Sequence, residues 1–432
     1  MRTVVIAPEQ RLYPLVPRKM LLFEGSFMVH SRGYRMAQAV IVCAVASGGV
    51  AQAAEPAGAE PLRIGFVCPQ TGGSADFGQS ARHGAELAIK EINEVGGYRG
   101  RPLVLVTRDD RADPEAGRKA AEELVIKEKV AFTVGFCNTG VALRALDVFQ
   151  SHQHLLMVPV ATGSPITQRY PAASSFVFRM SPRDSLQSAF LAQDVARRGL
   201  KKVAIFADRT RYGDSGLADL ERELSRHRIA LVHVVRFDLG ANDLLPDVQA
   251  AKAAGAEALV VYGVGPELAV LARARTAAKF SGPLMGPWTL SLRSVWERSG
   301  GTAEGALMVQ SILPDPSNER RISFMARMRR HLGGGTLGSL MAAAQTYDAI
   351  HLVTLALFQT RGDASGPALK SALENFQHSY SGVVTTYTRP FSPSDHDAFS
   401  ANMIWLGTWR QGALTYAYPE DARRAAMVRR KE

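Results

Sequence analysis

The stretch from Leu62 to Pro114 limits the possible folds more than any other part of the chain. It opens with the apolar run Leu62-Arg63-Ile64-Gly65-Phe66-Val67-Cys68, which stops at Pro69 and is followed by Gly72, Gly73 and Gly78. A short apolar run ending at Pro and Gly reads as a buried parallel strand leading into a loop. Next, Ala81, Ala85, Ala88, Ile89, Ile92 and Val95 recur on one face of a helix over 79–95, and Gly96-Gly97 stops it. Leu103-Val104-Leu105-Val106 is a second apolar run, ending at Asp109-Asp110-Arg111-Ala112-Asp113-Pro114. Strand, helix and parallel strand predict a right-handed βαβ unit.

The alternation continues. A helix is predicted over 115–128, a strand over 130–136, a helix over 141–149, and short strands over 155–158 and 176–179. After Ser181-Pro182 a second series begins, with strands over 203–207, 230–237, 258–262, 283–285 and 306–310. Its helices fall at 185–198, 213–227, 244–254 and 267–280. Two such blocks predict an α/β protein of two doubly wound parallel-sheet lobes, and 432 residues exceed one ordinary core. The chain is expected to cross back near 311–314. Strong helices follow at 318–332 and 339–359, then late strands at 382–387 and 402–409. The first lobe is therefore assigned 62–180 plus 312–385, and the second 181–311 plus 386–420, with a basic tail at 421–432. Three crossover segments would let the lobes hinge.

Ahead of the first strand, Arg32 and Arg35 precede an apolar stretch from Ala37 to Val50 that is too short to span a bilayer, and Ala51-Gln52-Ala53 follows. This pattern reads as a cleavable secretion signal, with residues 1–53 comprising the signal and an upstream extension. The expected location is the periplasm. Removal takes six Lys/Arg and two Glu, lowering the formal charge from +11 to +7. The remaining cations are scattered over helix faces, which excludes a nucleic-acid reading while leaving a field favourable to an anionic ligand. Only Cys68 and Cys137 remain, and an oxidising compartment invites them to pair.

Catalysis finds no support. The chain has no H-E-x-x-H, G-x-S-x-G, Walker A or C-x-x-C pattern, and no cofactor or metal is expected. His152-Gln153-His154 is an isolated H-x-H, and the acids Asp109, Asp110 and Asp113 suit a turn at a strand end. Ligands of doubly wound sheets collect beyond the carboxyl ends of strands, where 69–78, 137–140 and 161–164 all lie. These loops offer hydroxyls, an amide and backbone N–H groups suited to a carboxylate. Asn138, Thr139 and Thr162 could equally be helix caps.

Gln70-Thr71-Gly72, Gly78, Gly84-Ala85-Glu86-Leu87-Ala88, Glu91-Ile92-Asn93 and Gly96-Gly97 with Gly100 resemble the N-terminal signature of one receptor family. Asp109-Asp110, Tyr212-Gly213, Met285-Gly286-Pro287 and Glu304-Gly305 extend the match over about 62–416. The resemblance is to the leucine/isoleucine/valine-binding proteins, type I periplasmic receptors of ABC importers. It implies two lobes closing on a solute, no catalysis, an ABC permease as partner and a monomer. It also places ligand contacts at Asn138, Thr139, Ala161 and Thr162, with an aromatic wall at Phe77 in the first loop and a tyrosine at Tyr212.

The departures bear on the ligand. Amino-acid-binding members carry an acid after the Gly-Pro of the second lobe, where this chain has Trp288. A buried ammonium without that partner is costly, whereas Trp288 offers an apolar face, either for stacking on a ligand or for ordinary packing. The family disulfide cannot form, because Ala112 stands at one of its positions. Cys68 and Cys137 would instead end adjacent strands in the family's usual strand order, within disulfide reach or as two buried thiols. The expected function is delivery of a small carboxylate with an apolar or aromatic body, or an amino-acid-like compound, to an ABC importer. The alternative is a periplasmic ligand sensor for a membrane signalling partner.

Overall fold

The computed structural model describes residues 60–315, 318–425 and 430–431. The expected signal and upstream extension at 1–53 lie outside them. The chain begins β1 (Leu62–Val67), α1 (Ala75–Glu94), β2 (Leu103–Arg108), α2 (Pro114–Glu122), β3 (Phe132–Gly135), α3 (Thr139–Ser151), β4 (Leu156–Val158), α4 (Pro165–Gln168) and β5 (Val177–Arg179). These five strands form one parallel sheet in the order β2-β1-β3-β4-β5. Its central strands are mostly apolar and buried, Arg63 at the start of β1 and Thr133 in β3 excepted, because helices cover both faces.

The second half follows as α5 (Asp184–Arg197), β6 (Lys202–Asp208), α6 (Arg211–Arg226), β7 (Ala230–Phe237), α7 (Leu245–Ala253), β8 (Ala258–Tyr262), α8 (Glu267–Ala277), β9 (Leu284–Gly286), α9 (Arg293–Ser299) and β10 (Leu307–Gln310). Then come α10 (Glu319–His331), α11 (Leu340–Gln359), α12 (Gly366–Glu374), β11 (Ser379–Ser381) and β12 (Thr386–Thr388). The chain closes with β13 (Trp405–Arg410), β14 (Ala413–Tyr416) and α13 (Pro419–Ala425). The second sheet runs β14-β13-β10-β9-β8-β6-β7. It is parallel from β7 to β10, but β13 and β14 join antiparallel at one edge, so this sheet is mixed where a purely parallel one was expected.

Two lobes built on these sheets agree with the expected architecture, and several boundaries move. Helix α1 starts at Ala75, so Phe77 and Gly78 are helical rather than part of the loop. Glycine discourages a helix reading at 78, yet it is needed there, since a Cβ would fall 1.6 Å from the Pro69 carbonyl oxygen. Most of the predicted strand at 382–387 is instead the turn of the β11–β12 hairpin, and only Thr386 and Tyr387 lie in β12. Asp348 of α11 accepts from the backbone N–H of Val383 (2.8 Å) and Val384 (2.9 Å), which takes those donors from any ladder.

The last return to the second sheet also comes later than the expected boundary after residue 385. Arg179 donates its N–H to the His396 carbonyl (2.9 Å) and accepts from the Ala398 N–H (2.9 Å), so this segment extends the first sheet beside β5. In the expected tail, 421–425 belongs to α13, and Lys431 pairs with Asp395 at 2.7 Å. Helix α11 is long and apolar enough to cross a membrane by composition alone, but it is mostly buried and carries Asp348. It packs on α1 so closely that a Cβ on Gly84 would meet the Ala343 carbonyl oxygen at 2.1 Å.

Candidate ligand-binding cleft

The strand ends of both sheets face one cleft. From the first lobe comes Asn138, at the N-cap of α3 but making no cap hydrogen bond. Its Nδ2 donates to Ser74 Oγ at 3.2 Å, and its buried Oδ1 has no partner. Thr139 Oγ1 accepts from the Gly163 N–H at 3.1 Å, tying the loop after β3 to the loop after β4. In that second loop the Ala161 carbonyl accepts from Ser181 Oγ (2.8 Å), and the buried Thr162 hydroxyl faces the Asp184 carboxyl. The cap reading therefore fails for the side chains of Asn138 and Thr162.

The second lobe contributes Tyr212, in the first turn of α6 behind the Thr210 cap. Its ring lies 5.6 Å from that of Tyr262, and its buried hydroxyl faces Thr289. Burial raises the Tyr212 hydroxyl well above its ordinary pKa, with the nearby Asp184 carboxyl adding to the effect. Trp288 follows β9 in a short 3-10 turn. Gln187 Oε1 accepts from its backbone N–H (3.2 Å), leaving the ring free to meet Phe77 edge-on, centroids 5.4 Å apart. Trp288 Nε1 is buried without a partner. The starts of α3 and α6 also come together, since a Cβ on Gly140 would lie 3.5 Å from Arg211 Cβ. Two helix N-termini at one cleft favour an anion.

Sequence reasoning missed Asp184. It opens α5 after Ser181-Pro182-Arg183, where an acid looks like an ordinary first-turn residue. In the structure it is fully buried. Its backbone N–H donates to the Thr162 carbonyl (2.8 Å), Oδ1 accepts from Gln187 Nε2 (3.3 Å), and the Thr162 hydroxyl faces the carboxyl. Burial pushes its pKa up to about 7, against the opposing pull of Thr162 and Arg179. Arg179 was likewise read only as a strand end. It donates to the carbonyls of Thr162 (3.0 Å) and Gly163 (2.7 Å) and to Asp397 Oδ1 (2.6 Å), and so holds the Thr162 loop in place.

The remaining candidates separate. Cys68 and Cys137 end the adjacent strands β1 and β3 and form a disulfide, Cα atoms 5.4 Å apart. Asp109 accepts from the Gln70 N–H, Thr71 and the Arg111 N–H, and Asp113 caps α2, so these acids organise the turn. The two histidines of the H-x-H diverge. His154 contacts Thr133 Oγ1 at 3.0 Å and is pushed down to about 4 by burial, while His152 faces the Val148 carbonyl.

Residues 61–413 match the family described as Periplasmic binding protein. The chain belongs to that family. More closely, this periplasmic binding protein is of type I, in the leucine/isoleucine/valine-binding group. It is 34% identical to Leu/Ile/Val-binding protein homolog 3 of Brucella melitensis over 58% of this chain and 67% of that protein. In fold it is similar to a solute-binding protein of Rhodopseudomonas palustris BisB5 in complex with 3,4-dihydroxybenzoic acid (TM-score 0.71, 23% identity, 82% of this chain and 95% of that one). It is equally similar to a branched-chain amino acid transporter substrate-binding protein of Streptococcus pneumoniae in complex with isoleucine (TM-score 0.71, 21% identity, 82% and 97%). The family consists of substrate-binding components of ABC transport systems, so this periplasmic binding protein is a solute receptor and not an enzyme.

Proposed function

We propose that this chain is exported to the periplasm behind a cleavable signal and works there as a monomer. In this reading it hands a small carboxylate with an apolar or aromatic body to an ABC permease. The carrying observation is a set of buried polar groups gathered at the cleft: Asn138 Oδ1 and Trp288 Nε1 have no partner, while the Thr162 hydroxyl faces the Asp184 carboxyl and the Tyr212 hydroxyl faces Thr289. Leaving such groups unmatched costs about 1–3 kcal/mol each. A polar solute seated among them would recover that cost. Phe77 and Trp288 supply the apolar wall, and the paired helix N-termini suit a carboxylate.

Asp184 supports this ligand class when protonated, because a neutral carboxyl donates to an anion as a hydroxyl does. When ionised it favours a second reading, in which it takes the role of the acid that Trp288 displaces and meets the ammonium of an amino acid. A thermal-shift and calorimetric screen of benzoate-type acids, aliphatic acids and leucine separates the two. Saturation at about a hundred times Kd adds roughly 2.7 kcal/mol of stability. Stabilisation by aromatic acids without leucine supports the first reading, and stabilisation by leucine alone overturns it.

A further inference from the structure

On the first lobe, remote in purpose from the cleft residues, α1 and α10 bring two histidines to one carboxylate. His83 and Glu86 stand one turn apart on α1, and His331 is the last residue of α10. Glu86 Oε2 lies 3.3 Å from His83 Nδ1 and 3.3 Å from His331 Nε2. All three ligand atoms lie within 4.8 Å of one another. The imidazole rings stand at 74° with centroids 5.5 Å apart, so they converge without stacking.

We propose that His83, Glu86 and His331 form a binding site for a borderline divalent metal ion, Zn2+ foremost. Ligands at about 2.0–2.1 Å from a tetrahedral ion are separated by about 3.3–3.4 Å, which both nitrogen–oxygen distances match. His83 Nδ1 is shut off from solvent and turned toward Glu86 Oε2, so the two groups already face the point where an ion would sit. The carboxylate is already oriented: Arg82 donates to Oε1 at 2.8 Å, leaving Oε2 for the two histidines. Two imidazoles and one carboxylate select Zn2+, Ni2+ or Cu2+ over Mg2+ or Ca2+. Water completes the fourth position. Arg82 also places a positive charge beside the site, which moderates affinity. An ion held here clasps the end of α10 to α1, alongside the Arg327–Glu91 pair at 2.7 Å.

The test uses untagged, chelator-treated protein titrated with Zn2+ and, separately, with Co2+. One ion per chain, a raised Tm and the strong visible absorption of tetrahedral Co2+ are expected. His83→Ala, His331→Ala and Glu86→Gln should each weaken binding tenfold or more and remove the Co2+ absorption. Glu86→Gln keeps the size of the side chain and guards against a folding defect in the histidine variants. Absence of a Zn2+-dependent shift, or retention of it in His83→Ala/His331→Ala, overturns the proposal.

Discussion

Phe77 of the first lobe and Trp288 of the second meet edge to face, with ring centroids 5.4 Å apart. Both rings are buried. Such a pair contributes about 0.5–1.5 kcal/mol beyond its buried area. Trp288→Ala should lower affinity for an aromatic acid by roughly tenfold to a hundredfold while leaving Tm of the ligand-free protein within a few degrees. Calorimetry with the acid found in the screen checks this, and unchanged affinity would remove Trp288 from the site.

Asp184 makes ligand binding depend on pH in opposite directions for the two ligand classes. Arg179, Asp219, Tyr212 and Tyr262 are the charged and titratable groups around it, and Arg179 is already paired with Asp397. With its pKa near 7, the carboxyl is mostly neutral at pH 6 and mostly ionised at pH 8. A carboxylate ligand should therefore bind more weakly as pH rises, by up to about tenfold per unit above the pKa. A ligand whose ammonium meets Asp184 should bind more tightly over the same interval. Asp184→Asn should flatten either profile, and a flat profile in the unaltered protein would exclude Asp184 from ligand contact.

Asp397 is the counter-charge that makes Arg179 tolerable inside the protein. Burial raises the Asp397 pKa, but Arg179 and Arg183 outweigh it and hold the carboxyl below its ordinary range. The stabilisation is present above pH 4 and disappears as pH falls through the lowered pKa. Asp397→Ala should destabilise the fold by about 3–5 kcal/mol, since a buried guanidinium is left unpaired. Urea denaturation at pH 7 measures that loss. Weakened ligand binding should accompany it, because Arg179 holds the Thr162 and Gly163 carbonyls.

The Cys68–Cys137 bridge closes a loop across 69 residues of sequence. Loop-closure entropy puts its contribution at roughly 4 kcal/mol, a ceiling that strain or residual unfolded structure lowers. Reduction should add two hydrogens to the intact mass and lower Tm. A Cys68→Ala/Cys137→Ala variant should be indifferent to reductant, and an unaltered Tm in the native protein on reduction would mean that the bridge adds nothing.

What could be read from sequence was local. The strands at 230–237 and 258–262 match β7 and β8 to the residue, because 258–262 is an unbroken apolar run and 230–237 is rich in β-branched and apolar residues despite His233 and Arg236. The same logic pointed to the loops after β1, β3 and β4 as candidate ligand contacts, and the family resemblance implied Asn138, Thr162, Tyr212 and Trp288 beside them. Asp184 and Arg179 escaped notice because their roles rest on distant partners. Arg179 meets Asp397 across 218 residues of sequence. Likewise the hairpin at 379–388 takes its shape from Asp348 on another element, which no pattern within 382–387 could disclose.

The way the chain threads its two sheets sets a timetable for its assembly. All five strands of the first sheet have been synthesised once Arg179 emerges, yet α11, the helix seated on α1, comes more than a hundred and fifty residues later. The second sheet gains β13 and β14 only near the end of synthesis, and until then β10 presents a bare edge to other chains. Neither half can finish before the other has been passed through, so a chain halted at residue 400 is two incomplete halves rather than one complete and one missing. Such fragments should be held by chaperones or aggregate.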